Sequence, residues 1–119
     1  LPQRTRAGDV VLIDGPKDLR AVQLAMRLIH ENKPAVAFIH DCQPGSHARR
    51  FLERHLPRAF YSDEPRFRER YVGLDAVDYF GVFACVPGDV EWGGLGDRIK
   101  LRFARMFGNL GRSMRKRGI

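Results

Sequence analysis

The sequence lacks any long hydrophobic run: none approaches the roughly 20 apolar residues that a transmembrane helix needs. Its 119 residues include only two cysteines, Cys42 and Cys85, without CxxC spacing. So sparse a pattern predicts free thiols and favours neither a disulfide framework nor a zinc site. The first eight residues, LPQRTRAG, lack the apolar segment of a signal peptide. We therefore expect a cytoplasmic protein.

Several nucleotide-binding and catalytic motifs are also absent. The chain contains no GxGxxG, no GxxxxGK[ST] and no GxSxG. A dinucleotide fingerprint, a P-loop and the nucleophile of an α/β-hydrolase are therefore not indicated. The run GGLG at 93–96 follows a charged loop and not a buried strand, which makes it a poor phosphate cradle.

Acidic residues are missing from the C-terminal part of the chain, and this explains the net charge of +7. Positions 1–97 hold 13 basic and 14 acidic residues, so the excess positive charge lies beyond them. This distribution predicts a basic C-terminal arm and not a generally basic body. The eight basic residues of the arm are Arg98, Lys100, Arg102, Arg105, Arg112, Arg115, Lys116 and Arg117.

The N-terminal half has the pattern of a βαβ unit in a single domain. Residues 10–13 are apolar without polar alternation, which predicts a strand covered on both faces. A helix is predicted over 18–31, with Asp18 as its N-cap or first-turn acid, and a second buried strand over 35–39. Ser46 is the expected cap of a second helix. The sequence therefore predicts an α/β fold with parallel strands and a right-handed crossover.

The next segments favour shorter elements. Residues 60–61 form a short aromatic piece, and the polar segment 62–73 is expected to be an exposed connection. The aromatic and β-branched residues 79–86 predict another strand. A glycine-rich loop is expected before position 97.

From Asp97 onward we predict an amphipathic basic helix. Gly108 and Gly111 each weaken it by about 1 kcal/mol relative to alanine, so a bent or two-piece helix is expected. Its apolar stripe could dock on the domain or on a twin chain, or it could lie on an anionic membrane. Binding of nucleic acid is the weakest alternative, because no aromatic residues are interleaved on a sheet face for base stacking. The stripe consists of Ile99, Phe103, Met106, Phe107, Leu110 and Met114.

Acidic residues follow both predicted parallel strands. Asp14 ends the first strand and His40-Asp41 ends the second. Ligands of open parallel sheets bind at the carboxyl ends of strands, and adjacent strands would bring the two carboxylates within about 5–10 Å. The pair could hold a divalent cation such as Mg²⁺, or orient a general base against a substrate hydroxyl or amine. Histidine is the side chain type best suited to exchange protons at neutral pH, which makes His40 the candidate base.

Each of these residues also has a structural interpretation. Asp14 before Gly-Pro is typical of a turn, Asp41 of an Asx turn or cap, and His40 of a core histidine. Lys17 and His47 are typical of solvated helix starts. The recurrence of an acid at both strand ends favours the functional interpretation.

The stretch DVVLIDGPKDLRAVQLAMRLI followed by PAVAFIHDC resembles the second half of the class I S-adenosylmethionine-dependent methyltransferases. LDAVDYFGVFACV is similar to the closing antiparallel strand pair of that family. The resemblance covers roughly positions 9–87. It implies a Rossmann-like, three-layer half-domain over 1–87. The composition beyond it predicts a glycine-rich linker over 88–96 and a basic helical tail over 97–119.

The resemblance implies methyl transfer to an oxygen or nitrogen of a small or sugar-like acceptor. Asp14 and Asp41 match the family's acids after its fourth and fifth strands, which help to hold a cation in metal-dependent members. His40, Asp41 and Lys17 would face the acceptor, with His47 as a further substrate-binding residue and a rival candidate for the base.

The family's adenosylmethionine-binding residues lie in its first half, in a glycine-rich loop and a ribose-binding acid that this sequence lacks. The chain begins with Leu1 and not Met. We therefore expect the C-terminal part of a longer methyltransferase, with cofactor-binding residues unknown and a homo-oligomer as one option. The alternative is a non-catalytic α/β module whose basic helix binds an anionic membrane or a protein partner.

Overall fold

The fold is α/β, as the sequence predicts. A computed structural model describes residues 5–70 and 81–116. The predicted bounds of the first strand match the observed ones, and those of the first helix and the second strand differ by at most one residue at each end. The described elements are, in chain order, β1 (Val10–Ile13), α1 (Leu19–Asn32), β2 (Val36–Ile39), α2 (His47–His55), β3 (Phe60–Tyr61), α3 (Pro65–Arg70), β4 (Ala84–Pro87) and α4 (Leu95–Lys116).

The four strands form one mixed sheet in the order β1-β2-β4-β3. Strands β1 and β2 are parallel, with Ile13 opposite Ile39, which confirms the predicted βαβ unit. Strand β4 runs antiparallel to both of its neighbours. Of the strand predicted over 79–86, positions 79 and 80 lie outside the described residues, and β4 itself begins only at Ala84. The first part of the expected antiparallel pair, 74–80, also lies outside them.

The core lies between the sheet and the helices. Helix α1 contacts β1 and β2, and the helices α1, α2 and α4 contact one another. Val22, Ala25 and Ile29 of α1 are fully buried, and Leu52 of α2 lies beside them in the core. Among the described residues no charged side chain is buried, and the core consists of aliphatic and aromatic side chains together with the two cysteines. The three- and four-residue spacing of apolar side chains on α1 thus becomes the packing surface of the domain.

The prediction that β1 is covered on both faces is wrong for the described residues. Val10 and Leu12 are 67% and 62% exposed, whereas Ile13 is 3% exposed. Successive side chains of a strand point to opposite faces, and β1 is an edge strand whose helix side alone is packed. Of the three expected layers, the described residues thus supply the sheet and the helices on one face of β1, and none on its other face.

The structure confirms one of three further local predictions and corrects the other two. Ser46 caps α2 as expected, since its hydroxyl accepts a hydrogen bond from Arg49 N at 3.1 Å. The segment expected as an exposed connection contains the short helix α3. Helix α4 is one continuous element and not two pieces. Glycine lowers helix propensity without removing the backbone donor, so it weakens a helix but does not break it.

Docking of the apolar stripe on the domain is also contradicted for its members up to Phe107, whereas the side chains of Leu110 and Met114 lie outside the described ones. Helix α4 packs on the domain through Leu101, which is buried, with the half-buried Ala104 beside it. Ile99, Phe103 and Phe107 of the predicted stripe are exposed instead. The helix therefore docks by the side opposite to the one expected.

Candidate functional site

Two turns at the carboxyl ends of β1 and β2 form the candidate site. Asp14 follows the last residue of β1, and His40-Asp41 follows the last residue of β2. The backbone N–H of His40 donates to the carbonyl of Ile13 at 3.0 Å, so the two turns begin side by side. Parallel register thus brings the predicted strand-end residues together.

The side chains of the two turns form a connected acid–base network. His40 Nδ1 lies 2.7 Å from Asp14 Oδ1 and 3.5 Å from Asp41 Oδ1. Lys17 Nζ donates to Asp41 Oδ2 at 2.7 Å. We call Asp14, Lys17, His40 and Asp41 the strand-end cluster. Four of the five predicted site residues belong to it.

The side chains of the strand-end cluster differ in their exposure to solvent. The side chains of Asp14 and Lys17 are 63% and 66% exposed, whereas that of His40 is 21% exposed. The His40 ring packs against Phe83, with ring centroids 4.7 Å apart. The imidazole is therefore shielded on one side, and its polar edge faces the carboxylates.

Electrostatics within the cluster favour the charged forms of Asp41 and Lys17. The hydrogen bond from Lys17 lowers the pKa of Asp41 from its usual value, against a smaller opposing effect of burial. The same hydrogen bond raises the pKa of Lys17. The ammonium and the carboxylate therefore stay paired over the whole neutral pH range.

The backbone around the cluster is unusual. Asp41 has φ of 60°, a left-handed conformation that non-glycine residues rarely adopt. Gly81, with φ of +79°, lies against it: a Cβ at this position would be 3.1 Å from His40 Nε2 and 3.5 Å from Asp41 Oδ1. Backbone strain of this kind concentrates at functional sites. Sequence reasoning missed Gly81, whose only signal was a glycine inside the strand predicted over 79–86.

Arg49 holds the turn after β2 in place and was also missed. Its Nη1 donates to the carbonyl of Cys42 and to Asp63 Oδ1, both at 3.1 Å. Its guanidinium lies 3.7 Å from the centre of the Tyr61 ring. A planar, multi-donor side chain can satisfy all three neighbours together, so Arg49 links α2 and β3 to the residue after Asp41.

His47 belongs to a second pair. Its Nδ1 lies 3.5 Å from Asp18 Oδ2, and Asp18 Oδ1 accepts a hydrogen bond from Ala48 N at 2.6 Å. Asp18 is the N-cap residue of α1 as predicted, but its side chain makes no capping hydrogen bond there and reaches instead to the start of α2. A carboxylate there complements the partial positive charge of the helix N-terminus. The pair joins α1 to α2 beside the strand-end cluster.

The cluster does not fit a divalent cation. Within 5–70 and 81–116, no group of three or more His, Cys, Asp or Glu side chains could hold a metal ion. Asp41 is paired with the ammonium of Lys17, and Asp14 contacts an imidazole nitrogen. A hard cation requires several free oxygen ligands and is repelled by an adjacent ammonium. The arrangement suits proton transfer better than metal binding.

The described residues form no recognisable binding site for adenosylmethionine. The turn after β1 is Asp-Gly-Pro-Lys, and it holds one glycine where a phosphate or nucleoside cradle would have several. The cofactor-binding residues thus stay unknown.

Comparisons with known proteins add no family. No protein-family model matches the chain, and neither a curated protein nor a solved structure matches it. Functional inference therefore depends on the geometry of the strand-end cluster and on the motifs in the sequence.

Proposed function

We propose that this chain is the acceptor-side half of an adenosylmethionine-dependent methyltransferase that acts on an oxygen or nitrogen of a small or sugar-like molecule. The observation that carries the proposal is the strand-end cluster, in which a histidine contacts two carboxylates at the carboxyl ends of adjacent parallel strands. A mixed sheet closed by an antiparallel strand is consistent with a Rossmann-like half-domain.

His40 is the proposed general base. Asp14 lies 2.7 Å from Nδ1, which orients the ring and stabilises the imidazolium that forms when the ring takes a proton. Nε2, on the side of Gly81, is then the nitrogen that accepts the proton of the acceptor's hydroxyl or amine. Loss of this proton makes the acceptor atom nucleophilic.

Asp41 and Lys17 are the proposed orienting groups. Lys17 Nζ donates a hydrogen bond to Asp41 Oδ2. The two side chains therefore present one acceptor group and one cationic donor group at the solvent-facing side of the cluster. Such a pair can position hydroxyl groups of a polar substrate through directional hydrogen bonds. Adenosylmethionine, when bound, supplies an electrophilic methyl group.

The first test replaces His40 in the complete protein that contains this chain. Transfer of tritiated methyl from adenosylmethionine to a panel of sugar, hydroxyl and amine acceptors is measured. His40→Asn is expected to lower kcat by about 10²- to 10⁴-fold, because general-base catalysis contributes about that much. Asp14→Ala with Asp41→Ala is expected to abolish transfer. His30→Asn, which removes an exposed histidine from α1, is the matched control.

Three outcomes would count against the proposal. Normal methylation by the Asp14→Ala, Asp41→Ala double variant would refute the site assignment. Tight binding of adenosylmethionine to the 119-residue chain alone would contradict its description as an acceptor-side half. A coding sequence upstream of Leu1 without a glycine-rich strand–loop–helix would do the same.

A further inference from the structure

Helix α4 presents a continuous apolar surface to solvent. Scattered exposed apolar residues are common, but a stripe along three helical turns marks an interaction site. The rings of Phe103 and Phe107 stack at 6.5 Å between centroids and form its centre. The outer stripe, as we call it, consists of Leu95, Ile99, Phe103, Met106 and Phe107, which are 46–68% exposed.

Arginines flank the outer stripe on one side. Arg98, Arg102 and Arg105 of α4 line a groove of about 770 Å³ against α1, which adds Arg27. The groove also holds one acid, Glu31, which pairs with Arg27 at 3.4 Å. Its four arginines outnumber this single carboxylate, so the groove carries a net positive charge. At 100° per residue these arginines lie next to the apolar side chains along the same helix.

We infer that α4 docks on the surface of an anionic phospholipid bilayer. The outer stripe would enter the boundary between headgroups and acyl chains, and the flanking arginines would bind lipid phosphates at the level of the groove. An interfacial helix of this kind combines an apolar face with basic residues at its edges. None of the described helices is long and apolar enough to cross a membrane. The inference does not depend on the proposed methyl transfer.

The charge distribution favours a membrane over a second copy of the chain. A dimer formed through the outer stripe would bring together two helices that each carry seven basic residues and no acidic residue between positions 98 and 116. Like charges at close range weaken such an interface. An anionic bilayer neutralises the same charges.

The exposed aromatic residues favour a membrane over nucleic acid. A phosphate backbone would pair with the arginines but would leave Phe103, Met106 and Phe107 in water. A bilayer covers both the charged and the apolar parts of the surface. An anionic bilayer is therefore the partner that matches both the apolar and the basic side chains of this face.

The test is sedimentation of the 119-residue chain with vesicles of 30% phosphatidylserine in phosphatidylcholine, and with vesicles of phosphatidylcholine alone. We expect binding to the anionic vesicles only, weakened by added salt. Phe103→Ser with Phe107→Ser should lower the partition coefficient at least about tenfold through lost apolar burial. Arg98→Gln with Arg102→Gln should lower it about 25-fold, at about fivefold per basic residue.

Matched controls separate the site from general charge. Arg20→Gln with Arg50→Gln removes two exposed arginines from α1 and α2 and should lower binding much less than the α4 pair. All variants keep the buried Leu101, and circular dichroism checks that each one folds.

Three results would overturn the inference. The first is equal binding of wild type and the Phe103→Ser, Phe107→Ser variant. The second is failure of the wild type to bind anionic vesicles. The third is a dimer in solution that depends on Phe103 and Phe107 without vesicle binding, which would assign the surface to a second copy.

Discussion

Helices α1 and α4 have similar amphipathic patterns and opposite surroundings. Helix α1 buries its apolar side chains against the sheet, with Val22 and Ile29 fully covered. Helix α4 buries Leu101 and leaves Phe103 and Phe107 in solvent. Apolar periodicity therefore predicts that a segment is helical, but not which of its faces the domain covers.

The difference follows from how each helix is connected. Helix α1 crosses between two adjacent parallel strands, and such a crossover must lie on one face of the sheet. Helix α4 follows a loop and packs against the helices α1 and α2. Its orientation is thus decided by a few contacts, with Leu101 in the core and Arg105 bonded to Gln23 of α1 at 2.8 Å.

The largest expected effect is on chemical access to thiols. Burial raises the pKa of Cys42 and of Cys85 to about 11, so both are neutral as well as covered at pH 8. Phe103→Cys places a thiol on the outer face of α4. We expect iodoacetamide to alkylate the new thiol about 1000-fold faster or more, because buried groups react only after the chain opens.

Mass spectrometry of the alkylated chain identifies each modified cysteine. Full denaturation in urea should abolish the rate difference, which provides the control. Comparable native rates at Cys42 and at the introduced cysteine would show that the interior around α1 is no better packed than the outer face of α4.

A second prediction concerns stability. Ile29→Ala should lower the free energy of unfolding by about 3 kcal/mol, since it opens a cavity in the core. Leu101→Ala should also destabilise, by about 2 kcal/mol, because Leu101 is the buried side chain in the described part of α4, 95–107. Phe103→Ala should change stability by less than about 0.5 kcal/mol, as expected at an exposed position. Urea denaturation curves measure all three.

A loss at Phe103 equal to that at Ile29 would contradict the assignment of α4's faces. The reverse pattern, with Leu101→Ala neutral, would mean that the outer stripe is the true packing surface. Leu101→Ala and Phe103→Ala therefore serve as controls for each other within one helix.

Much of the fold could be predicted because its signals are local. Residues 10–13 and 35–39 are apolar runs that end at acids, and Ser46 precedes a helix start, so the βαβ unit follows from the sequence. The exposure of Val10 and Leu12 could not be predicted, because an apolar run does not indicate whether its strand is central or at an edge of the sheet.

The candidate site was predictable in part for the same reason. The proximity of Asp14 to His40 follows from parallel pairing of the two strands. The contacts of Asp18 with α2 and of Gly81 with His40 join positions 30 and 41 residues apart in sequence. Contacts of this kind depend on tertiary packing, which no local pattern records. The positive φ of Asp41 likewise has no sequence signature.

The smallest expected effect concerns the hydrogen bond that joins the two helices. Arg105 Nη1 donates to Gln23 Oε1 at 2.8 Å on the exposed surface. Gln23→Ala should lower the free energy of unfolding by less than about 1 kcal/mol, because water replaces an exposed bond at little cost. Arg20→Ala on the same helix is the matched control. A larger loss would mean that α4 depends on this bond as well as on Leu101. An unchanged stability would mean that apolar contact holds α4 to α1. The outer stripe of α4 would then be a surface that is free to dock elsewhere.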